Sequence, residues 1–196
     1  MSAVAGRPEV FTIGHSNHGF ETFLGLLQAA GIEAVADVRS TPYSRRHPQF
    51  RKEALETALA GAGIAYVFLG DGLGARPADP GCYVEGRVVY DRIAATDAFR
   101  RGLERVEDGA GRYRIALMCA EKEPLDCHRT LLVARHLMRR GTPVRHILAD
   151  GTTETGDETE RRLLARVGPG PEDLFAASLS ERERIEQAYR RREAGM

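Results

Sequence analysis

Five short apolar runs alternate with stretches of helical periodicity, and this alternation limits the fold of the 196-residue chain more than any other feature. The runs are "EVFTIGH", "IEAVADVR", "IAYVFLG", "YRIALMC" and "PVRHIL". They are nearly continuous in apolar residues; the second is apolar on both faces, with Ala34, Val35 and Ala36 in succession. Strands of this kind need cover on both sides, the situation of parallel sheets in α/β proteins. The intervening stretches carry the helical signal. In "GFETFLGLLQAAG", Phe20, Phe23, Leu24 and Leu27 recur at helical spacing and Gly31 follows as a stop. "PQFRKEALETALAGAG" predicts a helix opening on Pro48, and "DAFRRGLERVEDG", "DCHRTLLVARHLMRRG" and "ETERRLLARVG" predict three more. The reading is therefore α/β: a mostly parallel, Rossmann-like sheet of about five strands, helices on both faces, and right-handed crossovers.

Residues 70–87, "GDGLGARPADPGCYVEGR", interrupt the alternation with a glycine- and proline-rich loop. Long loops inside compact domains are commonly lids or binding loops. After residue 167 the composition shifts again. "GPGPEDLF" reads as a linker, and "SERERIEQAYRRRE" as a helix with a capping box from Ser180 and Glu183. The expected organisation is one α/β domain over 8–167, with a linker and C-terminal helix over 168–196. The apolar surface of that helix, chiefly Ile185, Ala188 and Tyr189, predicts weak packing or a contact role.

Lys plus Arg equals Asp plus Glu, 28 each, so no global field draws the chain to nucleic acid or membrane, although a local basic patch could. No apolar run is long enough for a membrane span. The first ten residues lack the pattern of a secretory signal. Three cysteines, an odd number, are expected as reduced thiols in a cytoplasmic protein. The oligomeric state stays open, a homodimer included.

In an open parallel sheet, ligands bind beyond the carboxyl ends of the strands. The turns predicted at that edge are polar. The first supplies His15, Ser16, Asn17 and His18; the second Asp37, Arg39, Ser40, Ser44, Arg45 and Arg46. The third supplies Gly70, Asp71, Gly74 and Arg76, and the fourth "CAEKEPLDCHR", Cys119 to Arg129. The turns at the other edge, "QAAGIE", "AGAGIA" and "RRGTPV", carry little chemistry. This asymmetry marks a candidate site.

Each group has a functional and an ordinary reading. Glu121, just past a strand end, suits a nucleophile or general acid/base with Asp37 nearby; it also suits an exposed turn. Asp126 is a good helix cap, so exposed helix-start amides with His128 and Arg129 would bind an anion; a salt bridge from Arg129 to Asp126 or Glu121 is the alternative. Ser16 or Asn17 would cap the first helix or bind substrate. "RSTPYSRRHPQFRK" interleaves Arg39, Arg45, Arg46, Arg51 and Lys52 with Tyr43 and Phe50, as phosphate- and base-binding surfaces do and as solvated loops also do. Cys127 shares a helical stripe with Leu131, Ala134 and Met138, which favours packing of both sulfurs. A phosphatase-type cysteine loop is out of register, since Leu125 stands where its arginine would. Zinc on Cys119, Cys127 and His128, with His15 as a fourth ligand, is a minor alternative, because seven residues separate the thiols.

"TIGHSNHGFETFLGLL", "ADVRSTPYSRRHPQF", "YVFLGDGLGAR" and "LMCAEKEPLDCHRTLLVARHL" together resemble the family known as domain of unknown function 488, over roughly residues 10–150. The resemblance implies a compact α/β domain and brings no activity with it. Its motif positions fall on Gly14, His15, Ser16, Asp37, Arg39, Pro42, Ser44, Arg45, Gly70, Leu73, Gly74, Cys119, Glu121, Cys127, His128 and Arg129. Ala75 stands where a second glycine is usual.

The expectation drawn from these residues is an enzyme acting on a phosphate-bearing nucleoside, nucleotide or nucleic acid by hydrolysis or by glycosyl or phosphoryl transfer. Glu121, Asp37 and His15 are the catalytic candidates. Ser16, Arg39, Ser44, Arg45, Gly70, Gly74, His128 and Arg129 would bind the anionic partner. No resident cofactor is expected: there is no phosphate loop, and "GDGLGA" lacks the dinucleotide spacing. A thiol or zinc enzyme using Cys119 and Cys127, and a non-catalytic nucleic-acid-binding module, are the rivals.

Overall fold

The computed structural model describes residues 8–168 and 179–196. Its main sheet has six strands in the order β3-β2-β6-β1-β7-β8. The five expected strands are β1 (Val10–Gly14), β2 (Ala34–Asp37), β3 (Ala65–Phe68), β6 (Ile115–Cys119) and β7 (Val144–Ile147), all parallel. The two five-residue strands, β1 and β6, buried at every position, lie side by side at the centre, with Phe11 opposite Ala116 and Gly14 opposite Cys119. Burial on both faces is what their composition demanded.

The strand count is larger than expected. β8 (Thr153–Thr155) runs antiparallel on β7 at the edge. Its hairpin is closed by the Asp150 carboxylate, which accepts from the Thr152 amide and hydroxyl at 2.9 and 2.7 Å. A three-residue polar edge strand has no apolar signature to read. The 70–87 loop also holds structure: helix α3 (Gly70–Leu73), a 3-10 turn (Pro80–Cys82) and a small antiparallel ribbon of β4 (Tyr83–Val84) and β5 (Arg87–Val88).

Side-chain alternation along the strands divides two cores. Phe11, Ile13, Val35, Ala116 and Met118 face α1 (Phe20–Ala29) and α2 (Lys52–Gly61), meeting Phe23, Leu27, Leu55 and Leu59. Val10, Ala36, Leu117 and Cys119 face the larger core. Helix α4 (Tyr90–Ala94), α5 (Asp97–Ala110), α6 (Arg135–Arg139), α7 (Gly156–Val167) and α8 (Glu181–Ala194) contribute to that second core. Each buried leucine or phenylalanine contributes about 1.5–3 kcal/mol.

Several local expectations shift. Pro48 opens a 3-10 turn (Pro48–Phe50), and α2 begins separately at Lys52. Neither Ser16 nor Asn17 caps α1; Gly19 holds that position without a side-chain bond. Asp126 ends a 3-10 turn (Pro124–Asp126) instead of capping a helix, and its carboxylate pairs with Arg192 and, at 2.9 Å, with Arg166. The stretch after it starts as a π-helical turn (Arg129–Ala134) that runs into α6.

Helix α8 packs more firmly than its narrow apolar stripe foretold. Ala188 and Tyr189 are buried in the larger core. Charged contacts complete the attachment: Glu186 accepts from buried Arg135, Arg192 donates to the Leu125 carbonyl at 2.9 Å, and Glu193 accepts from the Tyr90 amide at 2.7 Å. Polar docking of this kind leaves no hydrophobic pattern in the sequence. The expected linker lies almost wholly outside the described residues.

Candidate active site at the carboxyl edge of the sheet

The chain leaves β1 and β2 toward α1 and α2 on one face, and leaves β6, which lies between them, toward the π-helical turn and α6 on the other. Divergence of neighbouring connections opens a crevice at the carboxyl ends of the strands. A cavity of about 1640 Å³ lies there, walled by the turns after β1, β2 and β6, the β4–β5 ribbon and the end of α8.

Close backbone contacts fix the crevice. The His15 and Ser16 amides donate to the carbonyls of Cys119 and Ala120, each at 2.9 Å. A Cβ on Gly14 would stand 1.8 Å from the Glu121 carbonyl oxygen, so the two turns meet only through glycine. Gly70 and Gly74 act likewise: a Cβ would lie 2.0 Å from the Arg39 oxygen in the first case and 2.5 Å from Ser40 Oγ in the second. Neither is among the residues lining the cavity, so they seat the loops behind it.

Asp37 is completely buried and fully engaged. Its carboxylate accepts from the Arg39 amide at 3.1 Å, from Arg39 Nε at 2.9 Å, from Arg39 Nη2 at 2.6 Å and from the Tyr66 hydroxyl at 2.9 Å. Arg39 Nη1 lies 3.4 Å from His15 Nε2, and His15 Nδ1 is 2.8 Å from the Ser16 carbonyl. The carbonyl can only accept, so His15 carries its proton on Nδ1 and offers Nε2 to Arg39. The ring stacks on Phe50 with centroids 4.3 Å apart. Burial, with Arg39 and His47 nearby, lowers its pKa to about 4 despite the bond to Ser16. His15 and Asp37 therefore hold Arg39 at the cavity wall, and burial favours the neutral imidazole of His15.

Arg129 is not among the residues lining the cavity. It is 0% exposed, and its Nη1 and Nη2 donate to the carbonyls of Glu121 and Lys122 at 2.5 and 3.2 Å. It holds the strand-end turn in shape, and among the described residues it pairs with neither Asp126 nor Glu121. The Glu121 side chain is exposed and lines the cavity. Ser16, at φ 50°, and Ser44 line it as well; Ser44 Oγ accepts from the His47 amide at 3.0 Å. Arg45, Arg46, Arg76 and Arg87 are exposed along the wall, and none forms an ion pair among the described residues.

Cys119, Cys127 and His128 converge at the cavity floor, their ligand atoms all within 4.8 Å of one another. Cys119 Sγ is 3.5 Å from His128 Nδ1. His128 Nε2 lies 2.9 Å from the Val38 carbonyl and must donate to it. In the neutral ring this leaves the Nδ1 lone pair toward the sulfurs. The two thiols are pushed apart in acidity: Cys119 rises, through its bond to Cys127 and burial, while Cys127 falls, because Cys119, Arg129 and His128 outweigh its burial. His15 is not part of this group.

Residues 19–136, more than half of the chain, match the model of the family described as domain of unknown function DUF488. The chain belongs to this family. Searches of curated proteins and of solved structures return no match. The DUF488 stretch contains Asp37, Arg39, Cys119, Cys127 and His128, and begins after His15 and Ser16. No described helix is long and apolar enough to cross a membrane.

Two contributors escaped the sequence reading. Tyr66 bonds Asp37 and nothing in "IAYVFLG" separates that role from packing. Tyr90, buried against the cavity and the two cysteines, follows a loop without periodicity.

Proposed function

We propose that this DUF488 protein is an enzyme that binds a phosphate-bearing nucleoside, nucleotide or nucleic acid in the cavity and cleaves or transfers at a glycosidic or phosphate bond. The observation that carries the reading is the wall of Arg45, Arg46, Arg76 and Arg87, arginines free of ion pairs among the described residues, above a floor of reactive side chains. Of the acids on the same wall, Asp91 pairs with Arg190 at 3.4 Å, Asp126 is held by Arg166 and Arg192, and Glu193 accepts from the Tyr90 amide, which leaves Glu85 and Glu121 against the four arginines. Guanidinium groups without carboxylate partners favour phosphate oxygens. Glu121, exposed at the rim, would be the catalytic carboxylate. Arg39, locked by Asp37 and His15, would hold a fixed anionic position.

The test pairs binding with turnover. Fluorescence anisotropy with a labelled single-stranded oligonucleotide, competed by nucleoside mono- and diphosphates, should show binding that weakens with salt. Arg45→Ala with Arg46→Ala should weaken it further, while Glu121→Gln keeps binding and loses product formation. Absence of binding by any of these probes at low salt would overturn the reading. Binding with ligand recovered intact after long incubation would favour a non-catalytic module.

A further inference from the structure

We propose that Cys119, Cys127 and His128 form a site for a zinc-class divalent metal ion, with a fourth coordination position open to the cavity. In a tetrahedral site with bonds of about 2.3 Å to sulfur and about 2.0 Å to nitrogen, ligand atoms stand roughly 3.5–3.8 Å apart. The Cys119 Sγ to His128 Nδ1 separation of 3.5 Å already spans one such edge, and the third ligand lies within 4.8 Å of both. The long sequence spacing between the thiols is no obstacle in three dimensions. Cys119 ends β6, and the chain loops through the 3-10 turn to bring Cys127 and His128 back over it.

The surroundings fit coordination beyond the three ligands. A carbonyl that anchors one imidazole nitrogen, as Val38 does for His128, fixes the ring so that the other nitrogen meets the ion. The Arg129 amide donates to Cys127 Sγ at 3.4 Å, a contact that supports a thiolate. The Arg129 guanidinium is fully buried, is bonded to carbonyls, and has no carboxylate partner among the described residues. Its charge calls for an anion nearby, and ionised sulfur supplies one. Two thiolates outweigh that guanidinium by a single negative charge. A divalent ion reverses the sign, and hydroxide on the open position restores neutrality.

Two cysteines, one histidine and a solvent position form the ligand set of catalytic zinc, whereas closed structural sites use four protein ligands. A zinc-bound water ionises near neutral pH, its proton passing to solvent, and the hydroxide faces the cavity. Metal binding stands apart from the substrate reading above; only what the hydroxide attacks rests on it.

The full chain is purified under reducing conditions, loaded with zinc or cobalt, desalted and analysed by elemental mass spectrometry. About one ion per chain is expected. The cobalt form should show the visible bands of a tetrahedral ion and a near-ultraviolet thiolate charge-transfer band. Cys119→Ser, Cys127→Ser and His128→Gln should each lose the ion and these bands, while Cys82→Ala retains both. Should a variant misfold, alkylation mapping of the wild-type protein decides: bound zinc should protect Cys119 and Cys127. Substoichiometric metal in the loaded wild type, or a cobalt spectrum without thiolate bands, would overturn the site whether or not any phosphate-bearing ligand binds.

Discussion

Two polar clusters occupy the carboxyl edge of the same sheet, and they are built in opposite ways. Asp37 and His15 continue the face of Val35 and Ile13, on the side of α1 and α2, whereas Cys119 continues the face of Leu117, toward the larger core. In the first cluster the bonding capacity is spent internally: Asp37 binds Arg39 and Tyr66, and His15 binds Ser16 and Arg39. In the second, His128 spends one nitrogen on Val38, and its other nitrogen and two sulfurs face one another. Buried full charges are costly and survive only by consuming each other. Thiols hydrogen-bond weakly, are buried cheaply, and keep their capacity to coordinate. Conspicuous charge is therefore consumed in the first cluster, whereas the bland sulfurs of the second keep their bonding capacity.

Removing one partner from the consumed cluster should be the most damaging change. Asp37→Ala leaves Arg39 buried without its counter-charge and should cost about 3–5 kcal/mol in denaturant unfolding. A loss below about 1 kcal/mol would show that Arg39 finds water, and that the cluster is less closed than its hydrogen bonds imply.

Acid should act next. Burial lowers His146 to about 3, and His15 and His136 to about 4. In the unfolded chain these imidazoles take up protons near pH 6.5. Below that value the unfolded state binds more protons than the folded one, so stability is complete above pH 6.5 and falls as pH drops toward the folded pKa values. His146 alone should account for about 2–3 kcal/mol between pH 6.5 and 4.5. Unfolding transitions at stepped pH check this; a flat profile over that window would mean the imidazoles are not held neutral.

Gly14→Ala pushes a methyl against the Glu121 carbonyl and should cost about 1–3 kcal/mol. Because that turn joins the two clusters, the same variant should lower cobalt affinity even though Gly14 is not a ligand. Tyr66→Phe deletes one of several bonds to Asp37 and should cost only about 1 kcal/mol, with Arg39 still held. Smallest of all in stability, Arg45→Ala with Arg46→Ala should stay within about 0.5 kcal/mol of the wild type. Its oligonucleotide affinity should nonetheless fall, which separates the binding wall from the scaffold.

Much of the fold was readable because the five runs are largely apolar; four of them lie inside the covered sheet, and β3 forms its partly exposed edge. β8, short and polar, and the two-residue strands of the β4–β5 ribbon were not readable, being too short for a periodicity. The firm seat of α8 was hidden for a related reason, since Glu186, Arg192 and Glu193 do the docking alongside Tyr189. The edge that carries the site was legible in the contrast between polar and bland turns. Within it, Arg129 was misplaced: the sequence offered Asp126 or Glu121 as its partner, and backbone carbonyls, which any sequence possesses, took that place.

By itself the sequence determined the α/β class, the edge of the sheet where polar side chains gather, and membership of the DUF488 family through residues set by local strand, turn and helix chemistry. Tertiary structure alone decided which of those side chains remain uncommitted. That outcome depends on distances between turns far apart in the chain: Val38 against His128, Tyr66 against Asp37, and Cys119 against Cys127 across a seven-residue loop. Local propensity encodes where an element starts and stops. The saturation of a buried polar group is a property of everything packed around it.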